Sequence, residues 1–412
     1  MLSATGIRRM LRSPTLMPVL VFAASGTAFA LANLVLARRL SQEEYAVFTL
    51  VLALMNLGSP LAAMGIDAVA VRRPLEFGPG LLGRVLLAAL TVGLGLGLVG
   101  AAYDLDPLSV AMVVAASTAG GAMLVPAAEY QRRHEFARSL ALVHSPNLVL
   151  VLAAVLAVAF GTRAARTPLL VLSAGFALSA VAGWLPLLRE RRDPPAAQRL
   201  PWGEALSLFG TNASGTLLTQ LDRLIVPQVL PLSALATYGA LSAVVGSLFR
   251  VLQRGVGYAL LPRLRAASTI AQRRRLIAVE AWVVGAVAVG GSLLLWILTP
   301  LVERWLLAGK YEFPPSLILA AIAVGLAKIL TGFSRATVTA LADHRELALV
   351  NVSGWISVAL SVGAAVVGAR WGLAGVIYGV GLGWLMRAVI ALAVTSRHLR
   401  LRPAEPAGAS PP

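Results

Sequence analysis

The chain has no cysteine. It therefore carries no disulfide framework, no thiolate nucleophile and no cysteine-bound zinc. Its four histidines, His134, His144, His344 and His398, are scattered, and none stands at metal-ligand spacing from another. Charge is scarce as well: 13% of residues are Asp, Glu, Lys or Arg, against about 25% in a soluble domain. Acidic residues are the scarcer sign, 18 against 35 basic, which leaves +17. No Walker A sequence occurs, so the chain brings no ATP site of its own. Clustered carboxylates for acid–base chemistry are missing too. These absences leave no catalytic residue, no metal site and no cofactor to assign.

What is present is apolar sequence. Hydrophobic residues make up 58% of the chain, and the mean hydropathy is +0.81. Runs of about 20 apolar residues match the hydrocarbon thickness of a bilayer. Twelve are predicted, near 14–37, 45–64, 82–102, 109–128, 139–160, 168–188, 204–229, 236–261, 276–299, 316–341, 347–368 and 373–396. Arg8, Arg9 and the run ending at Ala28-Phe29-Ala30 imitate a signal peptide. That run is longer than a usual signal core, and the even helix count needs it, so it is read as the first span. The fold class is thus an all-α polytopic membrane protein with about twelve transmembrane helices.

The basic residues orient it. With both termini inside, 22 of the 35 Lys and Arg fall on the inner side, seven on the outer side and six within spans. This is the positive-inside bias of a cytoplasmic-membrane protein with cytoplasmic termini. The same bias accounts for the +17 without nucleic acid. The longest outer loop is about 300–315, which leaves little room for an extracytoplasmic catalytic loop. The largest inner loop, 189–203, reads RERRDPPAAQRLPWG. Its prolines and charges keep it in water. Domain boundaries follow: a six-helix lobe 1–188, a cytoplasmic linker 189–203, a second six-helix lobe 204–400, and a Pro-rich tail 401–412 expected to be disordered. Six helices per half make the halves parallel repeats.

Charges inside spans are the exception to this plan. Arg, Lys or Asp at a helix centre costs about 2.5–3.5 kcal/mol on insertion scales, and such residues usually mark a pathway. At 1.5 Å per residue, Arg250, Lys328 and Arg387 lie near the midplane, Arg254 and Arg335 nearer the inner face, and Arg223 in the outer third. Asp222 precedes Arg223. All six cations belong to the second half. Arg254, Arg335 and Arg387 have a plainer reading, in which they snorkel to headgroups. Asp222 has one too, as a counter-ion. Tyr45 and Tyr238 open the second and eighth spans, where aromatic residues commonly serve as interface anchors.

Three patches resemble a known family. The stretch 31–73 holds Leu-Ala-Arg-Arg-Leu-Ser-Gln-Glu-Glu-Tyr, then Gly-Ile-Asp and Val-Arg-Arg. Glu129-Tyr130-Gln131-Arg132-Arg133 ends the fourth span. Leu221-Asp222-Arg223-Leu224-Ile225 is followed by Thr237-Tyr238-Gly239, where the family usually has Gly in place of Thr237. In order and spacing these are similar to the polysaccharide-repeat (O-antigen, capsule and exopolysaccharide) lipid flippases of the multidrug/oligosaccharidyl-lipid/polysaccharide exporter superfamily. The resemblance implies two six-helix lobes around a central cavity. It also implies a transporter, not an enzyme, that moves a polyprenyl-diphosphate-linked glycan between leaflets. Its partners would be that lipid-linked glycan, the bilayer and a polysaccharide polymerase.

Arg pairs its donors to phosphate oxygens and Lys offers a point charge. Arg250, Lys328, Arg387, Arg223, Arg254 and Arg335 are therefore the candidates to hold the diphosphate. Asp222 is the candidate gate or coupling residue. A drug/cation antiporter of the same superfamily should instead carry deep acids. The lipid-linked peptidoglycan precursor flippases usually have two further helices, which a chain of twelve spans would lack. A membrane glycosyltransferase or polymerase, or a non-transporting scaffold, are the remaining readings.

Overall fold

A computed structural model describes residues 16–190, 200–267, 269–342 and 344–401. The linker core 191–199 and the tail 402–412 lie outside the described residues, as do the side chains of Arg250 and Arg254. The described chain is almost wholly helical. The helices are α1 (Leu16–Arg39), α2 (Gln42–Ala62), the short α3 (Ile66–Arg72), α4 (Pro79–Ala102), α5 (Pro107–Arg132), α6 (Phe136–Ala159) and α7 (Arg166–Arg189). They continue with α8 (Trp202–Val229), α9 (Leu232–Ala266), α10 (Ile270–Leu301), α11 (Pro315–Leu341), α12 (His344–Gly368) and α13 (Gly372–Leu401). Each of the twelve predicted spans falls on one long helix, with ends shifted by a few residues. Eight helical stretches are long and apolar enough to cross a membrane by length and composition; one of them, Arg345–Leu399, contains two helices.

Local sequence sets the helix starts. Ser41 caps α2 by accepting the Glu44 N–H at 3.2 Å. Asp106 caps α5 by accepting from the N–H of Leu108 and Ser109 at 3.2 and 3.3 Å, with Pro107 next. Both are the side-chain acceptors that a free helix N-terminus needs. Pro60, Pro146 and Pro227 lie inside α2, α6 and α8.

The chain divides into two compact units. The first holds Ala23–Val244 and Val302–Phe313. In it α5 packs against α2, α3, α4, α6 and α7. Small residues allow this: a Cβ on Gly58 would lie 2.0 Å from Ser117 Oγ, and one on Gly120 2.1 Å from Ser59 Oγ. Helices in lipid associate through such close packing and through polar contacts. His144 Nδ1 meets Ser25 Oγ at 2.9 Å, and Asn147 donates to the same oxygen at 2.6 Å, joining α6 to α1.

Gly65 turns the chain between α2 and α3 at φ 76°, a left-handed conformation natural to glycine. A Cβ there would also lie 2.1 Å from Ala205 O of α8. The Glu129–Arg133 motif is an ion cluster. Glu129 is buried and accepts from Arg132 Nε and Nη2 at 2.8 and 2.6 Å, and from Arg133 Nε at 2.6 Å. Arg133 Nη1 reaches Glu190 beyond α7 at 2.6 Å. Residues 302–313 belong to this unit because Lys310 and Tyr311 cap α1. Lys310 Nζ donates to Ala37 O at 2.9 Å and to Leu40 O, and Tyr311 Oη donates to Ala37 O at 3.2 Å. A cation at a helix C-terminus completes its last carbonyls.

The second unit comprises the described residues of Met1–Phe22, Val245–Leu301 and Pro314–Pro412. Helix α13 is its centre and packs on both α11 and α12. Glycines set the approach here too. A Cβ on Gly381 would lie 2.7 Å from Val324 of α11, and one on Gly379 2.4 Å from Ala365 N of α12. Buried hydroxyls bond across the helices: Thr331 to Trp384 O at 2.9 Å and Ser361 to Val380 O at 3.2 Å.

Candidate functional site

Two charged clusters arise from the predicted residues, one in each unit. In the second unit, Lys328 and Arg335 stand two turns apart on α11, and Arg387 stands on α13. The Thr331–Trp384 hydrogen bond and the Gly381–Val324 contact draw these helices together at that level. Lys328 Nζ lies 5.6 Å from the centre of the Trp384 ring. That geometry lets an ammonium rest on the negative face of an indole. Arg335 acts on Arg387 by like-charge repulsion. Arg387 is 6% exposed, and its Nη1 has no hydrogen-bond partner among the described residues. Trp384 is 3% exposed, and its indole Nε1 likewise has none.

This is an unusual donor set. Buried polar groups nearly always find partners, because an unmet one costs about 1–3 kcal/mol and a charged one more. Here two donors three residues apart on α13 are buried without an acceptor, beside two further cations. The described carboxylates of this unit are engaged with other residues: Glu280 with Arg263 at 3.9 Å, and Glu346 with His398. A group with several acceptor oxygens and negative charge would satisfy the cluster. Trp384 escaped the sequence reading because a tryptophan in an apolar run looks like packing. Its only signal is the spacing to Arg387, which puts both on one face of a helix.

In the first unit, Asp222 and Arg223 are 3% and 6% exposed. Asp222 Oδ1 accepts Arg223's own backbone N–H at 2.9 Å, and Oδ2 accepts from Tyr238 Oη. The Arg223 guanidinium donates to Gln220 at 3.2 Å and to Ser242 at 3.0 Å. Arg223 is thus a bonded member of the α8–α9 hairpin. Tyr238 joins the same hairpin through its bond to Asp222. Tyr238 and Tyr45 are buried at 6% and 0% exposure, and are not interface anchors. A Cβ on Gly239 would lie 2.6 Å from Thr49 Oγ1 and 3.2 Å from the Tyr45 ring, so the start of α9 presses on α2. The hydrogen bond matters chemically. A charged carboxylate can only accept from Tyr238, whereas a protonated one can donate. The Asp222 carboxylate thus ties the end of α8 to the start of α9.

The predicted residues therefore separate. Lys328, Arg335 and Arg387 gather in the second unit, and Asp222 and Arg223 in the first. Arg250 and Arg254 are on α9, with side chains outside the described residues.

No protein-family model matches this sequence, and no curated relative does. Solved structures match its fold. An inward-facing multidrug resistance MATE family transporter of the MOP superfamily aligns at TM-score 0.68 with 11% identity, covering 93% of this chain and 98% of that one. The lipid II flippase MurJ, in an inward closed conformation, aligns at 0.66 with 11% identity, covering 92% of this chain and 87% of the other. A eukaryotic MATE transporter aligns at 0.56 with 13% identity, over 92% and 95%. The chain has the fold of MOP-superfamily transporters, and the proteins it resembles in structure are transporters and a flippase rather than enzymes.

Proposed function

We propose that this protein flips polyprenyl-diphosphate-linked oligosaccharide repeat units across the cytoplasmic membrane for surface polysaccharide synthesis. The observation that carries the reading is that Trp384 Nε1 and Arg387 Nη1, beside Lys328 and Arg335, are buried and meet no acceptor among the described residues. A diphosphate supplies two negative charges and several acceptor oxygens for those two donors. Crossing the hydrocarbon with such a head group unaided is prohibitive. Bound to fixed donors, the head group keeps its hydrogen bonds while the isoprenoid tail stays in lipid. The fold is shared by drug exporters and by a lipid-linked-substrate flippase, so the fold alone leaves the cargo open. The basic cluster favours an anionic cargo over a cationic drug.

In this reading the halves 1–188 and 204–400 rock about a central cavity in alternating access. Arg250 and Arg254 belong to the same cationic set, Asp222 is the gate or coupling residue, and both termini are cytoplasmic. Cysteine-free sequence makes the orientation simple to check. A cysteine introduced at Ala196 should react with a membrane-permeant maleimide and not with an impermeant one added to intact cells.

The cargo is tested by depletion in the native host. Depletion should cause lipid-linked repeat units to accumulate on the cytoplasmic face and surface polysaccharide to fall. Wild-type protein should restore both, and Asp222→Asn should restore neither fully at normal protein level. Unchanged lipid-linked intermediates on depletion would rule out this cargo.

A further inference from the structure

The second unit carries a second feature that the basic cluster does not use. Helices α12 and α13 meet at their common end with almost no side chain between them. A Cβ on Gly368 would lie 2.2 Å from Gly375 O, and one on Gly375 2.0 Å from Gly368 O. Because the floor is backbone, the flanking side chains stand as walls. The result is an open apolar groove of about 970 Å³. Its walls include Leu360, Val367, Trp371, Tyr378 and Leu382, with Ser316 at the start of α11.

Three observations identify an occupant. Along α13 the lining runs from Trp371 to Leu382, roughly 16 Å at the helical rise. That is about half the hydrocarbon thickness, the depth of one leaflet. The groove begins beside the short helical turn Ala369–Trp371: Trp371, in its lining, is 72% exposed, and the adjacent Arg370, just outside the lining, is exposed. An aromatic ring beside an arginine is a combination that suits a membrane interface. The polar side chains of its described lining are Ser316 and Tyr378, and neither carries a charge to match a second headgroup. One head at Arg370 and one leaflet-length chain fit this arrangement. An isoprenoid carrier tail is longer than the groove.

We propose that this groove is a binding site for an anionic phospholipid, with the phosphate on Arg370 and one acyl chain between α12 and α13. The site requires only the membrane-spanning fold and is independent of the cargo proposed above. Its occupant would fill the gap that the glycine contact leaves between two helices whose partner, α11, carries Lys328 and Arg335.

The test uses the full chain, which has no native cysteine. A Cβ at Gly363 in the groove meets nothing within 4 Å, so Gly363→Cys can carry a small fluorophore without disturbing packing. The labelled protein is reconstituted in phosphatidylcholine with increasing dibrominated phosphatidylglycerol, and in the reverse mixture. Quenching should show a preference for phosphatidylglycerol of about five-fold, the size expected from one arginine near an anionic head group. The preference should vanish in Arg370→Ala. It should also be absent at a control cysteine at Val389, an exposed position elsewhere on α13. Equal quenching by both lipids with Arg370 present would overturn the proposal. So would relief of quenching by undecaprenyl phosphate or by raised protein density, which would assign the groove to an isoprenoid or to a second copy of the chain.

Discussion

An Arg387→Met protein is expected to fold at least as well as wild type and to lose export by about ten- to hundred-fold, the rate equivalent of one charge-assisted hydrogen bond of about 1.5–3 kcal/mol. The two effects have opposite signs for one reason. Arg387 is buried with Nη1 lacking a partner among the described residues, and Arg335 repels it. Removing a charge that is buried without compensation relieves the resting protein. Methionine keeps the length and apolar bulk of the arginine stem. A structural role would give the reverse: the substitution would lower the melting temperature in detergent, and export would fall in proportion to folded protein. The paired measurement is therefore thermal stability of the purified protein and surface polysaccharide in a depleted host. Lys328→Met should likewise lower export, and it loses the contact with the Trp384 ring.

The second large effect concerns the fold. Gly379→Leu should prevent recovery of monodisperse protein. A Cβ at Gly379 would lie 2.4 Å from Ala365 N and 2.5 Å from Ala364 C. Both are backbone atoms of α12, so no rotamer change can make room. Overpacking of this kind costs about 1–3 kcal/mol and occasionally more, and here it would part the two helices that wall the lipid groove. Gly285→Leu on α10 is the control, since a Cβ there meets nothing within 4 Å. It should purify and melt like wild type. Equal behaviour of the two variants would mean that α12 and α13 are not held at glycine distance.

The twelve long helices were legible because bilayer thickness imposes a length that composition reports directly. Each long helix therefore coincided with an apolar run bounded by charge, proline or glycine. Helix α3 was not legible. Ile66–Arg72 reads as the exit of a span, and the left-handed backbone at Met64 and Gly65 makes it a separate helix that packs against α8.

The site was legible by residue type more than by grouping. Hydropathy marks an arginine inside a span as costly, but it does not say which arginines already have partners. Arg223 proved to be bonded to Gln220 and Ser242, while Arg387 Nη1 has no partner among the described residues. Those differences come from helix pairing, which a single sequence does not encode locally. Tyr45 and Tyr238 illustrate the same limit. Both sit beside short loops, where an aromatic residue ordinarily faces the interface, yet the contact of Gly239 with Thr49 buries them. The Glu129–Arg133 motif was visible as a resemblance and acquired a physical content only as an ion cluster joining α5 to Glu190.

Reconstituted vesicles test directly whether the protein moves a diphosphate-linked glycan lipid between leaflets through the α11–α13 donor set. A fluorescent polyprenyl-diphosphate sugar is placed in both leaflets, and a membrane-impermeant reagent destroys the accessible label. Wild-type protein should render nearly all label accessible, whereas in Arg387→Met vesicles the inner-leaflet share should become accessible about ten- to hundred-fold more slowly. Loss limited to the outer leaflet with wild-type protein, or an unchanged rate with Arg387→Met, would contradict this reading.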